Sequence, residues 1–194
     1  MFIQCNVKLS FPRTQLIFIV NGRIIVTKVK INKSLEHINK QTMSEEFKKK
    51  REMSVTINAE SESPTRMKLR SGKFEMIIDE PASMGGSDMG PSPIQVLLMS
   101  LAGCINVTGH EVARQRGMKL NGMKIKIDGT MNPCTFIGCS YEERAGFQTI
   151  NMKVNADFEN ATKEEVDSWL KETEERCPVT DNIRESTKIN IVKN

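Results

Sequence analysis

GGSDMGPSPIQVLLMSLAGCINVTGHEVARQRG, residues 85–117, is the stretch from which the rest of the fold can be predicted. It begins with a glycine- and proline-rich loop, after which Ser92 is a suitable N-cap and Pro93 suits the first helical position. Gly117 is suited to the left-handed residue that follows a helix. The sequence therefore predicts a helix from about Pro93 to Arg116, roughly 36 Å long at 1.5 Å per residue.

The first half of this predicted helix is apolar on nearly every side, which is typical of a helix buried all round. Its apolar residues are Ile94, Val96, Leu97, Leu98, Met99, Leu101, Ala102 and Ile105. Gln95, Ser100 and Asn106 interrupt the run well before the ~18 continuous apolar residues that a membrane span needs. We therefore expect a core helix and no membrane association.

Cys104 lies in the middle of this helix, where Ala102 and Gly103 leave room beside the sulfur. The string GGSDMGPSPIQVLLMSLAGC, followed much later by ERCPV at residues 175–179, closely resembles the OsmC/Ohr family of cysteine-dependent hydroperoxide reductases. The resemblance covers roughly residues 53–194 and includes both cysteines in chain order. We accordingly divide the chain into an N-terminal extension, residues 1–50, and an OsmC-like domain, residues 51–194.

The net charge of +4 conceals an uneven distribution. Residues 1–50 hold ten basic against three acidic residues, whereas the remainder holds 18 against 21. A domain with no basic excess and few aromatic residues gives little support to a nucleic-acid partner. The five cysteines form no disulfide-framework pattern, and no secretory signal is visible, so we expect a cytoplasmic protein with free cysteines.

The N-terminal extension differs from the rest of the chain. QLIFIV, then Asn21-Gly22, then RIIVTKVKI predicts a β-hairpin over residues 14–31, because Asn-Gly favours the type I′ turn. The family resemblance does not reach this segment. It is either a genuine added hairpin or an upstream extension of a reading frame that starts at Met43 or Met53, and we favour the second.

Alternating apolar residues predict the remaining elements. The first three strands are marked by Val55, Ile57 and Ala59, then by Met67 and Leu69, then by Phe74, Met76 and Ile78. Strands around Ile125 and Val154 follow the long helix, and a second helix begins at Thr162, with Glu165 at the capping-box position. Pro178 ends that helix, and residues 187–192 are predicted to form a closing strand.

Three strands, a long helix, two strands, a helix and a strand indicate an α+β fold with mostly antiparallel sheets. The resemblance implies the same fold as an intertwined homodimer, with sheets wrapped around a pair of central helices.

The resemblance also implies a thiol-dependent peroxidase that reduces organic hydroperoxides. Cys104 would react with the peroxide, and Cys177 would close a disulfide with the resulting sulfenic acid. An external dithiol, of the lipoyl or thioredoxin type, would reopen that disulfide, so no bound cofactor is expected. The alternative is a family member with weak catalysis that binds a small apolar or thiol-reactive molecule between subunits.

The family holds the reactive thiolate beside an arginine, which a glutamate near the start of the long helix positions. Arg66 and Arg70 are the candidates for the arginine, and their even spacing puts both on one strand face; we prefer Arg66. The glutamate is missing, since Ile94 and Gln95 occupy its two alternative positions. Gln95 can orient an arginine by hydrogen bonding but adds no charge.

Gln95 also lies nine residues before Cys104, about 13.5 Å along a straight helix and on the opposite face. A residue near position 95 could therefore act on Cys104 only through a bend or through the helix of a second subunit, which favours a dimer.

Cys134 and Cys139 lie in a predicted loop, residues 132–146, with no histidine pair nearby. Their spacing gives little support to a zinc site, and no metal is expected.

Overall fold

The computed structural model describes residues 15–20, 23–28 and 53–193. The chain divides into two compact units, Met1–Val55 and Thr56–Asn194. In the first unit, strands β1 (Gln15–Val20) and β2 (Arg23–Lys28) form an antiparallel hairpin in which Val20 lies opposite Arg23. The division of the chain at residue 50 remains a prediction.

The second unit begins with a three-stranded antiparallel sheet of β3 (Asn58–Ser61), β4 (Met67–Ser71) and β5 (Phe74–Ile78). A tight turn at Gly72-Lys73 joins β4 to β5, and Gly72 has a φ of 57°. The first strand begins later than its apolar pattern indicated: Val55 and Ile57 precede β3 and are exposed.

Helix α1 spans Pro93–Arg116, which confirms the predicted bounds. The Ser92 N–H donates to Oε1 of Gln95 at 2.8 Å, which satisfies a backbone group that the first helical turn leaves free. Gly117 ends the helix with a φ of 71°. Local capping chemistry therefore fixes both ends of α1.

A long hairpin of β6 (Lys119–Thr130) and β7 (Thr149–Glu159) follows α1, with a bulge between Leu120 and Gly122. The loop between these strands holds the single turn α2 (Cys134–Ile137). Side chains on one face of the hairpin pack against α1, and they are Met123, Ile125, Ile127, Ile150, Met152 and Val154. The hairpin thus covers one side of the long helix.

Helix α3 (Lys163–Arg176) carries the predicted capping box: Glu165 N–H donates to Oγ1 of Thr162, and Thr162 N–H donates to Oε2 of Glu165. Trp169 of α3 is completely buried against α1. Its Nε1–H donates to the carbonyl oxygen of Gly109 at 2.8 Å, and its ring meets that of Phe158 edge-on, with 4.9 Å between centroids. This contact fixes where α3 crosses α1.

The end of the chain differs from the prediction. Pro178 does not only end α3; it also occupies the first turn of a further helix, α4 (Pro178–Arg184), for which Cys177 is the N-cap. The predicted closing strand at 187–192 is wrong, because residues 185–193 form no strand and the apolar side chains there are exposed.

The expectation that the first half of α1 is buried all round is also wrong for the single chain. Leu101 and Ile105 are buried, but Met99 and Val107 are 58% and 69% exposed, and Ile94 and Leu97 are also exposed. Within residues 53–193, the β6–β7 hairpin, α3 and α4 cover one side of the helix. The opposite side of α1 is an apolar surface that no other described element covers.

Helix α1 has the length and composition of a membrane span, although core helices of soluble proteins meet the same criteria. A single helix of this kind is weak evidence for a membrane location.

Candidate active site

The loop that leads into α1 is organised by the carboxylate of Asp79, which is completely buried. It accepts hydrogen bonds from the backbone N–H groups of Glu80 at 2.9 Å, Ser87 at 3.0 Å and Met89 at 3.3 Å. Burial by itself would raise the pKa of this carboxyl, but the N–H donors and the Thr65 hydroxyl lower it below its usual value. Asp79 thus holds the glycine-rich loop against the end of β5.

Two glycines of this loop are required by close backbone contact. A Cβ on Gly86 would lie 1.8 Å from the carbonyl oxygen of Glu80, and one on Gly90 would lie 2.2 Å from that of Ile77. Both contacts are far shorter than any that a side chain can make, so the loop can pass this close to Ile77 and Glu80 only with glycine at these two positions.

We expect Asp79→Asn to destabilise the protein at neutral pH, because an amide offers the three N–H groups an uncharged and poorer acceptor. The folded-state pKa of Asp79 is lowered, so its stabilising effect is complete well above the ordinary value of 3.8. The effect is lost as the pH falls through 3.8 and then through the folded-state pKa. Urea unfolding of both proteins between pH 7 and pH 3 should show their stabilities converging at acid pH; a constant difference would contradict this role.

The structure brings Cys104 of α1 into contact with Cys177, which lies at the junction of α3 and α4. Both thiols are free, and Cys104 is half-buried whereas Cys177 is completely buried. The N–H of Thr180 donates to Sγ of Cys177 at 3.5 Å, so that this sulfur serves as the N-cap of α4. External molecules can therefore reach Cys104 but not Cys177.

The two thiols have opposite pKa shifts. Burial raises the pKa of Cys104, and its hydrogen bond with Cys177 raises it further, against weaker lowering by the Val179 N–H and the Thr108 hydroxyl. Burial also raises the pKa of Cys177, but the donors around it, foremost the Thr180 hydroxyl, outweigh burial and lower that pKa overall. The Thr180 hydroxyl has no hydrogen bond of regular geometry among the described residues. Within one chain the surroundings therefore favour the thiolate form at Cys177 and disfavour it at Cys104.

The structure does not bring either candidate arginine to Cys104 within one chain. Nε of Arg66 donates to Oε2 of Glu62 at 3.0 Å, and Nε of Arg70 donates to the carbonyl oxygen of Gly72 at 3.0 Å. Arg70 pairs across the sheet with Glu75, on the face opposite Met67, Phe74 and Met76. Both guanidinium groups are thus occupied by neighbours in or next to the three-stranded sheet.

Gln95 has a local role that the sequence analysis did not assign to it. Its Oε1 accepts the Ser92 N–H at the start of α1, which runs unbroken to Arg116. Nine residues of straight helix separate Gln95 from Cys104, so it does not act on that sulfur within the same chain.

A cavity of about 240 Å³ is lined by Leu101 and Ile105, which belong to the same core cluster as Cys177, although neither cysteine is among its lining residues. Its walls come from α1, β7, α3 and α4, and they are lined by Leu101, Ile105, Ile150, Met152, Val154, Leu170, Glu174, Thr180, Ile183 and Arg184. An ion pair of Arg184 with Glu174 and the Thr180 hydroxyl supply its polar groups. The cavity suits a small apolar molecule with one polar end.

Cys134 and Cys139 are joined by a disulfide, whereas the sequence analysis treated all cysteines as free. The turn of α2 and the left-handed Gly138 return the chain so that the two Cα atoms lie 4.8 Å apart. No group of three or more metal-ligating side chains is found among the described residues.

We compared the chain with protein-family models, with curated proteins and with solved structures. A family model described as OsmC-like protein matches residues 85–192, which include both Cys104 and Cys177. A search of the curated proteins found no match.

Several solved structures share the fold. An OsmC-like protein from Mycoplasma pneumoniae is 19% identical, with a TM-score of 0.59 over 69% of this chain and 89% of that chain. An OsmC-like protein of unknown function from Vibrio cholerae is 6% identical, with a TM-score of 0.56 over 67% and 93% of the two chains. An organic hydroperoxide resistance protein OsmC from Legionella pneumophila is 17% identical, with a TM-score of 0.51 over 68% and 90%. At these identities the likeness establishes the α+β fold with antiparallel sheets.

Proposed function

The chain belongs to the OsmC-like protein family, and on that premise we propose that it reduces organic hydroperoxides through Cys104 and Cys177. The observation that carries the proposal is the contact of two free thiols from separate helices, one of them accessible and the other buried. Cysteines that meet in this way can exchange between two thiols and a disulfide without a large change of backbone.

In the proposed reaction the Cys104 thiolate attacks one oxygen of the hydroperoxide and breaks the O–O bond. The other oxygen leaves as an alkoxide and takes up a proton to become an alcohol, and Cys104 becomes a sulfenic acid. The Cys177 thiolate then attacks the Cys104 sulfur, which expels hydroxide as water and forms the disulfide. The lowered pKa of Cys177 suits this second step, because the attacking sulfur must be ionised.

The proposed substrate class is based on the cavity that Leu101, Ile105 and Thr180, neighbours of the cysteine pair, help to line. Seven of its lining residues are aliphatic or Met side chains that could enclose an alkyl chain, namely Leu101, Ile105, Ile150, Met152, Val154, Leu170 and Ile183. An alkyl or lipid hydroperoxide would bury apolar surface there, whereas hydrogen peroxide would not. The structural neighbour from Legionella pneumophila, described as an organic hydroperoxide resistance protein, agrees with this class.

We also propose that the protein forms a homodimer. The exposed apolar side chains of α1, with Met67, Phe74 and Met76 on the exposed face of the three-stranded sheet, form a surface larger than isolated exposed residues require. A second copy of the chain would cover it. A second copy could also supply a guanidinium, from the partner's Arg66 or the partner's Arg70, to lower the raised pKa of Cys104.

The test is consumption of tert-butyl and cumene hydroperoxide by the wild-type protein, first without reductant and then with dithiothreitol. We expect one equivalent consumed per chain without reductant, with the loss of two thiols, and continuous turnover with dithiothreitol. Hydrogen peroxide at the same concentration should react more slowly. Consumption that leaves the thiol count unchanged would contradict the proposal.

The second candidate is a binding protein for a small apolar molecule, and the raised pKa of Cys104 favours it. Alkylation of Cys104 by iodoacetamide against pH separates the two functions. A pKa near or above the ordinary value of about 8.5 supports binding, whereas a value well below 7 supports the peroxidase with a cation beside the sulfur, which a second copy would supply. Sedimentation of the same sample reports whether that copy is present.

A further inference from the structure

The loop between β6 and β7 carries a pair of sulfurs that the proposed peroxidase does not use. Cys134 and Cys139 form a disulfide there, and neither belongs to the cluster around Cys104 and Cys177. We propose that Cys134 and Cys139 are a second, reversible redox couple, which external thiolates open by attacking the Cys139 sulfur. This proposal does not depend on the proposed function.

The backbone keeps the two residues together without help from the sulfur–sulfur bond. The N–H of Cys139 donates to the carbonyl oxygen of Cys134 at 2.9 Å, and the N–H of Ile137 donates to that of Pro133 at 3.0 Å. The hydroxyl of Thr135 donates to the carbonyl oxygen of Glu143 at 2.7 Å, across the loop. These bonds persist when the disulfide opens, so the two thiols remain close and can pair again.

The two sulfurs differ in access. Cys139 is exposed and Cys134 is half-buried, so an incoming thiolate reaches Cys139 first and Cys134 is the leaving group. A disulfide that serves only to staple a fold is typically resistant to reduction by glutathione, whereas an exposed one is labile. Exposure of Cys139 therefore favours a working redox couple over a permanent cross-link.

The surface beside the disulfide is apolar. Phe136, Ile137 and Tyr141 are 64%, 60% and 79% exposed. The shared chemistry of the reductant is a thiolate, and it could come from glutathione or from a protein dithiol. Exposed aromatic and aliphatic side chains around the attacked sulfur suit a protein dithiol, which would bury them on docking.

The exchange proceeds through a mixed disulfide between Cys139 and the external thiol. The external thiolate bonds to the Cys139 sulfur, the Cys134–Cys139 bond breaks, and Cys134 leaves as a thiolate that takes up a proton. The second thiol of the reductant then displaces Cys139, so that two electrons pass from the dithiol to the protein pair. The reverse exchange with an oxidised dithiol closes the disulfide again.

The test uses the full chain with Cys5→Ser, Cys104→Ser and Cys177→Ser, so that only this pair remains. We expect no free thiols in the oxidised protein, and two after treatment with glutathione or a thioredoxin-type dithiol, while circular dichroism stays native. Removal of reductant and addition of the oxidised dithiol should return the count to zero. The matched control adds Cys139→Ser, which leaves one thiol that consumes no dithiol.

The attacked sulfur is identified on the unmodified chain as well, which covers the case in which the triple variant fails to fold. Brief treatment with glutathione, alkylation of free thiols and peptide mass spectrometry should place glutathione on Cys139 and the alkyl group on Cys134. Faster opening by the protein dithiol identifies a protein reductant, and faster opening by glutathione identifies a small thiol. A pair that opens only in denaturant, or glutathione found mainly on Cys134, would overturn the proposal.

Discussion

Cys104→Ser is expected to abolish hydroperoxide consumption, so that the remaining rate equals that of dithiothreitol alone. A serine hydroxyl has a pKa far above that of a thiol and cannot form a sulfenic acid, so the first step has no nucleophile. The same protein should lose no thiols on treatment with cumene hydroperoxide. The matched control is Cys5→Ser, which changes a cysteine of the N-terminal extension, outside the residues that the family model matches. Turnover that survives in the Cys104 variant would refute the proposed function.

Cys177→Ser separates the two steps of the cycle. Without reductant, this variant should still consume one equivalent of hydroperoxide, because Cys104 is intact and accessible. The reaction should then stop at the sulfenic acid, which dimedone traps and mass spectrometry detects on Cys104. The wild-type protein should form the Cys104–Cys177 disulfide instead and give little dimedone adduct. An equal adduct in both proteins would show that Cys177 does not resolve the intermediate.

Trp169→Ala is expected to lower the free energy of unfolding by about 3–5 kcal/mol, a large part of the stability of a domain of this size. The indole is completely buried, and it fills the space between α1, α3 and Phe158. Its loss leaves a cavity and removes the buried hydrogen bond from the indole N–H to the carbonyl oxygen of Gly109. Trp169 is the chain's only tryptophan, so urea unfolding has to be followed by circular dichroism and not by fluorescence.

Two further variants distinguish packing from hydrogen bonding at this crossing. Trp169→Phe keeps a ring but loses the N–H donor, and we expect a smaller cost. Gly109→Ala places a Cβ 2.8 Å from Cζ2 of Trp169 and should cost about 1–3 kcal/mol through overpacking. When Gly109→Ala is combined with Trp169→Phe, part of this loss of stability should be recovered, because the smaller phenyl ring leaves room for the added Cβ. Strictly additive losses would show that the two residues are not in close contact.

The helix bounds were predictable because they depend on local chemistry. Ser92 with Gln95, Gly117, and Thr162 with Glu165 satisfy backbone groups within one turn of themselves, so the sequence pattern contains the whole interaction. Pro178 shows the limit of such rules, since a residue that cannot continue one helix is also well suited to begin another. The exposure of α1 was not predictable, because an apolar pattern does not say which chain covers it.

The site was predictable in part. The resemblance singled out Cys104 and Cys177, which the fold brings into contact over 73 residues of sequence. Asp79 was missed because its donors lie one, eight and ten residues further along the chain, and no short spacing reveals them. The Cys134–Cys139 disulfide was missed because an odd number of dispersed cysteines gave no sign of pairing, whereas its closure depends on the backbone of Gly138.

The contact between α1 and α3 sets the relative position of the two sulfurs. Gly109 lies five residues beyond Cys104, and Trp169 lies eight residues before Cys177, which is about 7.5 Å along one helix and 12 Å along the other. The two helices are in contact where the indole meets the glycine, so a change of crossing angle there would change the separation of the cysteines. The distance between the Cys104 and Cys177 sulfurs therefore depends on Gly109, which has no side chain and lies more than one helical turn away from either sulfur.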